Sequence, residues 1–431
     1  MAATAALPAP MRRSVPETLA CDKPFAAIGR GTQTRGVERL SDKLLNWASI
    51  LDDETLKQAE RTASLDIVDP HVALMPDAHL GKGATVGSVL PTRAAIIPAA
   101  VGVDIGCGMI AVRTPWSADE VRARGPLAPL RGDIERAVPL SAGRYNKKLT
   151  ETARRRVVEL EATAEGLGDR VLHSVTTTAP NWAMQLGSLG SGNHFIELTA
   201  DEQDRVWLFL HSGSRGVGNK IAQKHVAIAQ EQARRDGLDL PDRDLAWLDE
   251  GTPEFDRYIA ELRWAQHFAL LNREEMMDRV ADCLARHMRA DGTPELERIN
   301  AHHNFTQHER HFGQDLWVSR KGAIQAQKGQ AGLIPGSMGT ASYVVSGLGN
   351  PESLESSPHG AGRVFSRTRA RKTFTRAQLE ESMRGIEWRH SDAFLDEIPA
   401  AYKDVDQVMA DAADLVEVRH TLRQLVNVKG D

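Results

Sequence analysis

Apolar stretches rich in strand-forming residues, at 72–114, 195–210, 316–327 and 342–345, are punctuated by glycine and alternate with segments of helical periodicity. This alternation is the strongest constraint on the fold, because strands bury every second residue and helices a stripe that repeats about every 3.6. Charged and apolar residues recur at helical spacing over 151–167 and over 219–235, where Gly237 supplies a stop. Residues 254–289, with Tyr258, Leu262, Phe268, Leu271, Met277 and Val280, predict one long helix or a helical pair. Residues 377–384 and 404–425 predict further helices. No internal repeat and no linker interrupts the pattern. The expectation is an α+β fold, a single large domain over residues 36–431 with β-sheet layers surrounded by helices. Residues 1–35 are expected to be a flexible lead. The stretch to about Pro16 is rich in Ala and Pro, carries Arg12 and Arg13, and lacks the apolar core of a signal peptide.

The chemistry-bearing side chains sit in the glycine loops. His359 lies in Ser357-Pro358-His359-Gly360-Ala361-Gly362-Arg363. Its small neighbours leave the ring free to approach a phosphate, Gly360 and Gly362 let the backbone close on a ligand, and Arg363 offers a planar cation to phosphate oxygens. Imidazole is also a competent nucleophile toward phosphorus. Taken alone, the pattern reads more simply as a histidine in an ordinary Gly-rich turn. Asp104-Ile105-Gly106-Cys107-Gly108 sets a carboxylate and a thiol three residues apart in a tight turn. Such a pair can share a metal ion, and a thiolate can bridge two, although a lone buried cysteine is ordinarily inert core. His194 in Gly190-Ser191-Gly192-Asn193-His194, His211 after the apolar run 206–210, and His303 in His302-His303-Asn304-Phe305 stand in similar surroundings, His194 and His211 at the edge of a strand. Singly these are ordinarily structural histidines; with Asp104 and Cys107 they predict a two-metal site. By donor softness alone zinc ranks first, with manganese or cobalt behind it.

Met75-Pro76-Asp77-Ala78-His79-Leu80-Gly81-Lys82-Gly83, Gly102-Val103-Asp104-Ile105-Gly106-Cys107-Gly108, Gly192-Asn193-His194-Phe195, His211-Ser212-Gly213-Ser214-Arg215-Gly216, Pro335-Gly336-Ser337-Met338-Gly339 and His359-Gly360-Ala361-Gly362-Arg363 together resemble the RtcB family of RNA-splicing ligases. They occur in that family's order, from about residue 68 to residue 430, and several motifs in register are far more specific than any one. The stretch before about Leu65 matches weakly and is assigned no role. Ala301, before the histidine pair, is small where related members carry a cysteine.

The resemblance implies an enzyme that joins an RNA 3′-phosphate or 2′,3′-cyclic phosphate end to a 5′-hydroxyl end, in tRNA splicing or RNA repair, with GTP as co-substrate and two Mn²⁺ ions. Manganese then displaces the zinc ranking. Carried over by motif, His359 is the histidine that becomes guanylylated. Asp104, Cys107 and His194 are ligands of one metal, and Cys107, His211 and His303 of the other, with Cys107 bridging. Nucleotide contacts fall on Asn193, His194, Phe195, Ile196 and Glu197, on His303 and Asn304, on Pro335, Gly336, Ser337 and Met338, on Ser342, on His359, Gly360, Ala361 and Gly362, and on Lys429. His359 is expected to attack the α-phosphorus of GTP, the RNA 3′-phosphate to take the GMP as an activated RNA(3′)pp(5′)G end, and the 5′-hydroxyl to expel it. A cyclic phosphate is expected to be hydrolysed first. The implied partners are RNA ends and GTP, with room for an accessory activating protein. A metal-dependent phosphohydrolase acting on RNA ends and a non-catalytic RNA-binding paralogue are the alternatives, and guanylylation discriminates between them.

A net charge of −5 gives no global nucleic-acid signal, so RNA must meet local basic residues. The best candidate is Arg363, Arg367, Arg369, Arg371, Lys372 and Arg376, directly after the nucleophile motif; such a run is ordinarily a solvated face, and its place beside His359 favours a role for part of it in holding RNA phosphates. Trp 8, Tyr 4 and Phe 10 are too few for a broad base-stacking platform. Three widely spaced cysteines, Cys21, Cys107 and Cys283, fit a reducing compartment, and no apolar run is long enough for a membrane span. A cytoplasmic protein is expected.

Overall fold

The computed structural model describes residues 36–168 and 170–431, so the expected flexible lead lies outside the described residues, as does Cys21. Two sheets are stacked face to face. The six-stranded sheet runs in the order Glu38–Ser41, Leu44–Asn46, Val72–His79, Val86–Thr92, Gln314–Lys321 and Asn304–His311. The eight-stranded sheet runs Glu297–His302, Gly108–Ser117, Arg205–Ser212, Phe195–Ala200, Val416–Lys429, Ser342–Gly347 and Ala331–Ile334, with Glu387–Trp388 parallel to the long strand.

Strand alternation sets the layers. Met109 and Ala111 face a core shared with Ala73, Met75, Val89, Leu316 and Val318 of the other sheet. Ile110 and Val112 face the opposite way, onto Met276, Met277, Val280 and Leu284 of the helix Pro253–Met288. The outer face of the six-stranded sheet, with Val72, Leu74 and Leu90, is covered by Ala59 and Ala63 of the helix Asp53–Ala63. The expected α+β fold with sheet layers among helices is the one observed. No helix among the described residues is long and apolar enough to cross a membrane.

The segment 254–289 is one helix, Pro253–Met288, of 36 residues. Thr252 caps its start, with Pro253 at the first helical position, and Arg289 closes it in the left-handed conformation. The helices expected at 151–167 and 219–235 are Glu151–Leu167 and Arg215–Arg235. The helix expected over 404–425 is overturned. It ends at Asp411, and Val416–Lys429 is a strand of 14 residues between two others. Its alternating start at Val416 and Val418 and its apolar end at Leu425, Val426 and Val428 fit a strand buried at the sheet centre better than a helix stripe.

The long helix also fixes the loops at one end of the eight-stranded sheet. Asn272 Oδ1 accepts from the backbone N–H groups of Gly187 and Ser188 at 2.7 and 3.2 Å, and its Nδ2 donates to the carbonyls of Ser188 and Gly213. Arg273, fully buried, donates to the carbonyls of Gly106 and Ser212 and to Asn300 Oδ1. Asn272→Leu keeps the number and branching of the side-chain heavy atoms but leaves these buried backbone groups without partners. It is expected to lower stability by about 3 kcal/mol or more, read as a lower urea midpoint at unchanged m-value.

Candidate active site

Three strand ends and two loops bring five donors together. Asp104 and Cys107 come from the turn before Gly108–Ser117, His194 from the residue before Phe195–Ala200, His211 from the end of Arg205–Ser212, and His303 from the joint between Glu297–His302 and Asn304–His311. Cys107 Sγ lies 3.4 Å from His194 Nε2 and 3.2 Å from His211 Nε2. His211 Nε2 is 2.9 Å from His303 Nε2, and His194 Nε2 is 3.2 Å from Asp104 Oδ2. Gly213 makes the approach of Asp104 possible, since a Cβ there would stand 2.3 Å from Asp104 Oδ1.

Each histidine is held by its other nitrogen. The Nδ1 atoms of His194, His211 and His303 lie 3.0, 3.2 and 3.2 Å from the carbonyl oxygens of Leu189 and Asn193 and from Asn304 Oδ1. With Nδ1–H donating, Nε2 presents a lone pair to the common centre. Burial, reinforced by neighbouring histidine charge, pulls His211 and His303 well below the usual imidazole range and keeps them neutral. Burial would raise Asp104, but His194 beside it, the Arg215 charge and a hydrogen bond from Ser214 hold it below the ordinary carboxyl value. Burial pushes the Cys107 thiol up, and Asp104 adds to the push. Converging lone pairs on buried neutral imidazoles, beside a thiol and a carboxylate, fit a bound cation. Two groups of three could each hold one, Asp104, Cys107, His194 and Cys107, His211, His303, sharing Cys107.

The donors line one side of a cavity of about 700 Å³, and His359 lines another. The His303 and His359 ring centroids are 4.5 Å apart. His359 Nδ1 lies 2.6 Å from Asp77 Oδ2, a contact that does not meet hydrogen-bond geometry, while the His359 backbone N–H donates to the same oxygen at 3.2 Å. Asp77 is fully buried, and its other carboxylate oxygen has no partner. Gly362, at φ 75°, packs on Asp77, its Cβ position 2.3 Å from the Asp77 carbonyl oxygen. Its conformational freedom therefore serves the Asp77 contact on the wall of the cavity.

Asn193, Phe195, Glu197, Asn304, Pro335, Gly336, Ser337, Met338, Gly360, Ala361, Gly362 and Lys429 line the same cavity. Ile196 does not: alternation along its strand turns it into the core behind the sheet. Ser342 does not line it either, and its buried Oγ accepts from the Gly336 N–H at 3.4 Å, behind that loop. At the far wall, burial raises Glu197 to about 8, with Lys429 and Asn427 opposing, and Asn427 Nδ2 donates to Glu197 Oε1. Lys429 Nζ instead pairs with Glu397 Oε2 at 2.9 Å.

Asp77 is the residue to which sequence reasoning assigns no role; its signals are its place in the Met75–Gly83 motif and a carboxylate inside the mostly apolar strand Val72–His79. Lys321, buried on the cavity wall with Nζ donating to the carbonyls of Lys82, Ala84 and Ala99, escapes it as well. Of the basic run after His359, Arg363 and Arg367 line the cavity. Arg363 pairs with Glu397, Arg367 with Asp396 and Glu397, Arg371 with Asp396, and Arg376 with Glu380 and Asp392. Arg369 stacks over Phe365 at 4.6 Å, and Lys372 is exposed.

The family model described as tRNA-splicing ligase RtcB matches residues 58–430. The chain is 47% identical over 392 residues to the RNA-splicing ligase RtcB of Escherichia coli K12, covering 88% of this chain and 95% of that protein. It is 30% identical to the tRNA-splicing ligase RtcB of Nanoarchaeum equitans, covering 86% and 89%. It is 32% identical to the RNA-splicing ligase RtcB of Mycobacterium tuberculosis, covering 78% and 90%.

The shared sulfur generates an asymmetric expectation. His194→Ala is expected to remove one of two bound divalent ions, whereas Cys107→Ala weakens both. Titration calorimetry with Mn²⁺ checks this, and equal loss from the two variants would remove Cys107 from the bridging position.

Proposed function

The chain belongs to the RtcB family and is an RNA ligase, and from that premise we propose that it joins RNA 3′-phosphate or 2′,3′-cyclic phosphate ends to 5′-hydroxyl ends, with GTP as co-substrate and two Mn²⁺ ions. The observation that carries this reading is His359, pinned by buried Asp77 at the mouth of a donor cluster it does not belong to. A histidine held by one nitrogen beside a cation site is the arrangement of an activated nucleophile.

Asp77, against Nδ1, holds the tautomer that leaves Nε2 free, and the bent contact is of the kind that tightens when substrate binds. Nε2 attacks the α-phosphorus of GTP, the P–N bond forms and pyrophosphate leaves. An oxygen of the RNA 3′-phosphate then attacks the same phosphorus, the P–N bond breaks, and the RNA carries a 3′-terminal pyrophosphate linkage to guanosine. The 5′-hydroxyl attacks the RNA-side phosphorus, GMP leaves and a phosphodiester remains. Divalent ions held by Asp104, Cys107, His194, His211 and His303 would neutralise phosphate charge and lower the pKa of the attacking hydroxyl. Glu197, Lys429 and the 335–338 loop would receive the base and ribose, and Asn304 the phosphates. The catalytic unit is residues 36–431, working in the cytoplasm, a setting supported by the free, buried thiols of Cys107 and Cys283.

His359→Ala is expected to abolish labelling by α-labelled GTP and joining of 3′-phosphate ends, yet still seal RNA supplied with a preformed guanylylated 3′-end. Asp77→Asn is expected to slow labelling roughly tenfold or more, the range for loss of an orienting partner, with little change in GTP affinity. Acid-labile, base-stable label on the wild-type chain is the direct test. Ends released as hydroxyls, with no label, would favour the phosphohydrolase.

A further inference from the structure

Several arginines after His359 pair with acids of the fold, and the chain carries a second cationic surface whose charges do not. The segment 141–156 carries Arg144, Lys147, Lys148, Arg154, Arg155 and Arg156, against one acid, Glu151, in a chain of net charge −5. Arg156 is engaged by Glu275 and Asp278. The other five are exposed, and among the described residues none of their side chains has an ion-pair or hydrogen-bond partner. Tyr145, between them, is 46% exposed.

The segment is not a loose loop. Asn146 is buried as a peg: its backbone N–H and Nδ2 donate to the Met184 carbonyl at 3.0 and 2.9 Å, Nδ2 donates to Leu186 O at 2.6 Å, and its Oδ1 accepts from Arg279 at 2.9 Å. Because the peg points inward, the cations on either side of it face solvent. At the start, the Ser141 N–H donates to the Gly190 carbonyl at 2.8 Å, and Arg215 donates to the Ser141 carbonyl. At the end, Thr150 caps the helix Glu151–Leu167. Gly190 opens the loop whose Asn193 and His194 line the cavity, so the ledge is tied directly to the wall of the site.

We infer that the fixed ledge of Arg144, Lys147, Lys148, Arg154 and Arg155 docks the phosphodiester backbone of the RNA strand whose end enters the cavity, with Tyr145 offered to a base. This rests on the RNA-joining reading above and extends it to the body of the substrate. The choice of RNA follows from charge: solvated, unpaired cations release counterions from a polyanion, and a lone aromatic among them stacks on any base. Nothing in the ledge touches the five metal donors or His359, so it acts on strand binding and not on bond making.

The test uses the full chain carrying Arg144→Glu, Lys147→Glu and Lys148→Glu, and separately Arg154→Glu with Arg155→Glu. RNA binding is measured against salt, apart from joining, on long strands and on ends trimmed to a few nucleotides. For the triple variant the slope of log affinity against log salt on long strands is expected to fall by about 2, near 0.7 for each phosphate no longer neutralised, with roughly tenfold or more loss of affinity at moderate salt. KM for long ends should rise in step. Labelling by GTP, kcat on trimmed ends and the melting temperature should stay at wild-type values. An unchanged slope on long RNA in both variants overturns the ledge, as does a loss shared equally by trimmed ends and GTP labelling, which would make the segment a support of the cavity. A wild-type chain that binds long RNA with this dependence but joins none overturns the ligase reading and leaves the ledge standing.

Discussion

The buried pair Asn272 and Arg273 is the constraint on which the rest depends. From one turn of the helix Pro253–Met288 they satisfy backbone groups of Gly106, Gly187, Ser188, Ser212 and Gly213. These are the loops that carry or flank Asp104, Cys107, His194 and His211. Irregular backbone cannot be buried unless its N–H and carbonyl groups find partners, and here side chains of a rigid helix supply them. The loops are therefore as fixed as the sheet they leave. Arg273 stays cationic, although burial pulls it down to about 10, and it adds positive charge behind the thiol.

The same economy runs through the histidines. Each uses Nδ1 for a hydrogen bond to a neighbouring oxygen, which fixes the ring plane and leaves Nε2 without a proton. His359 is held through the same nitrogen, but by a carboxylate, and it stands outside both donor groups. On the proposed reading, that difference in partner would separate ligand from nucleophile among His194, His211, His303 and His359. A neutral oxygen orients a ligand, whereas a buried carboxylate also stabilises the positive charge an imidazole acquires when it attacks.

Much of this is legible in the chain. The five donors and His359 stand in glycine loops, His211 directly at the end of an apolar run, and such positions come together when strands share a sheet. Asp77 is not legible as a partner of His359, because 282 residues separate them and only the packing of the strand Ser356–Pro358 against Val72–His79 joins them. Ile196 travels with its neighbours in the linear motif, yet period-two alternation sends it to the opposite face. The strand Val416–Lys429 reads locally as helix because its middle, with Arg419, Arg423 and Gln424, mimics a charged helical face; its pairing with two other strands overrides that local pattern. The acidic partners of Arg363, Arg367 and Arg371 are hidden for a similar reason, since Asp396 and Glu397 lie farther along the chain and meet them only in space.

The site has no local nucleus. Its members run from Asp77 to Lys429, and their contacts cross nearly the whole described chain: Lys429 pairs with Glu397, Asn427 bonds Glu197, His359 meets Asp77, and the closing residues pack where Ser141 meets Gly190. Loop closure over such separations is compensated only when the sheets and the long helix are already in place. A partly folded chain therefore presents neither donor group complete nor His359 oriented. Converging thiol and imidazole donors suit soft cations, and they converge only where these distant segments have packed together. The ledge at 141–156 obeys the same logic, because Asn146 and Ser141 find their partners only once the 184–190 loop is set. The two donor groups, the placement of His359 and the charged ledge thus depend on the same long-range packing.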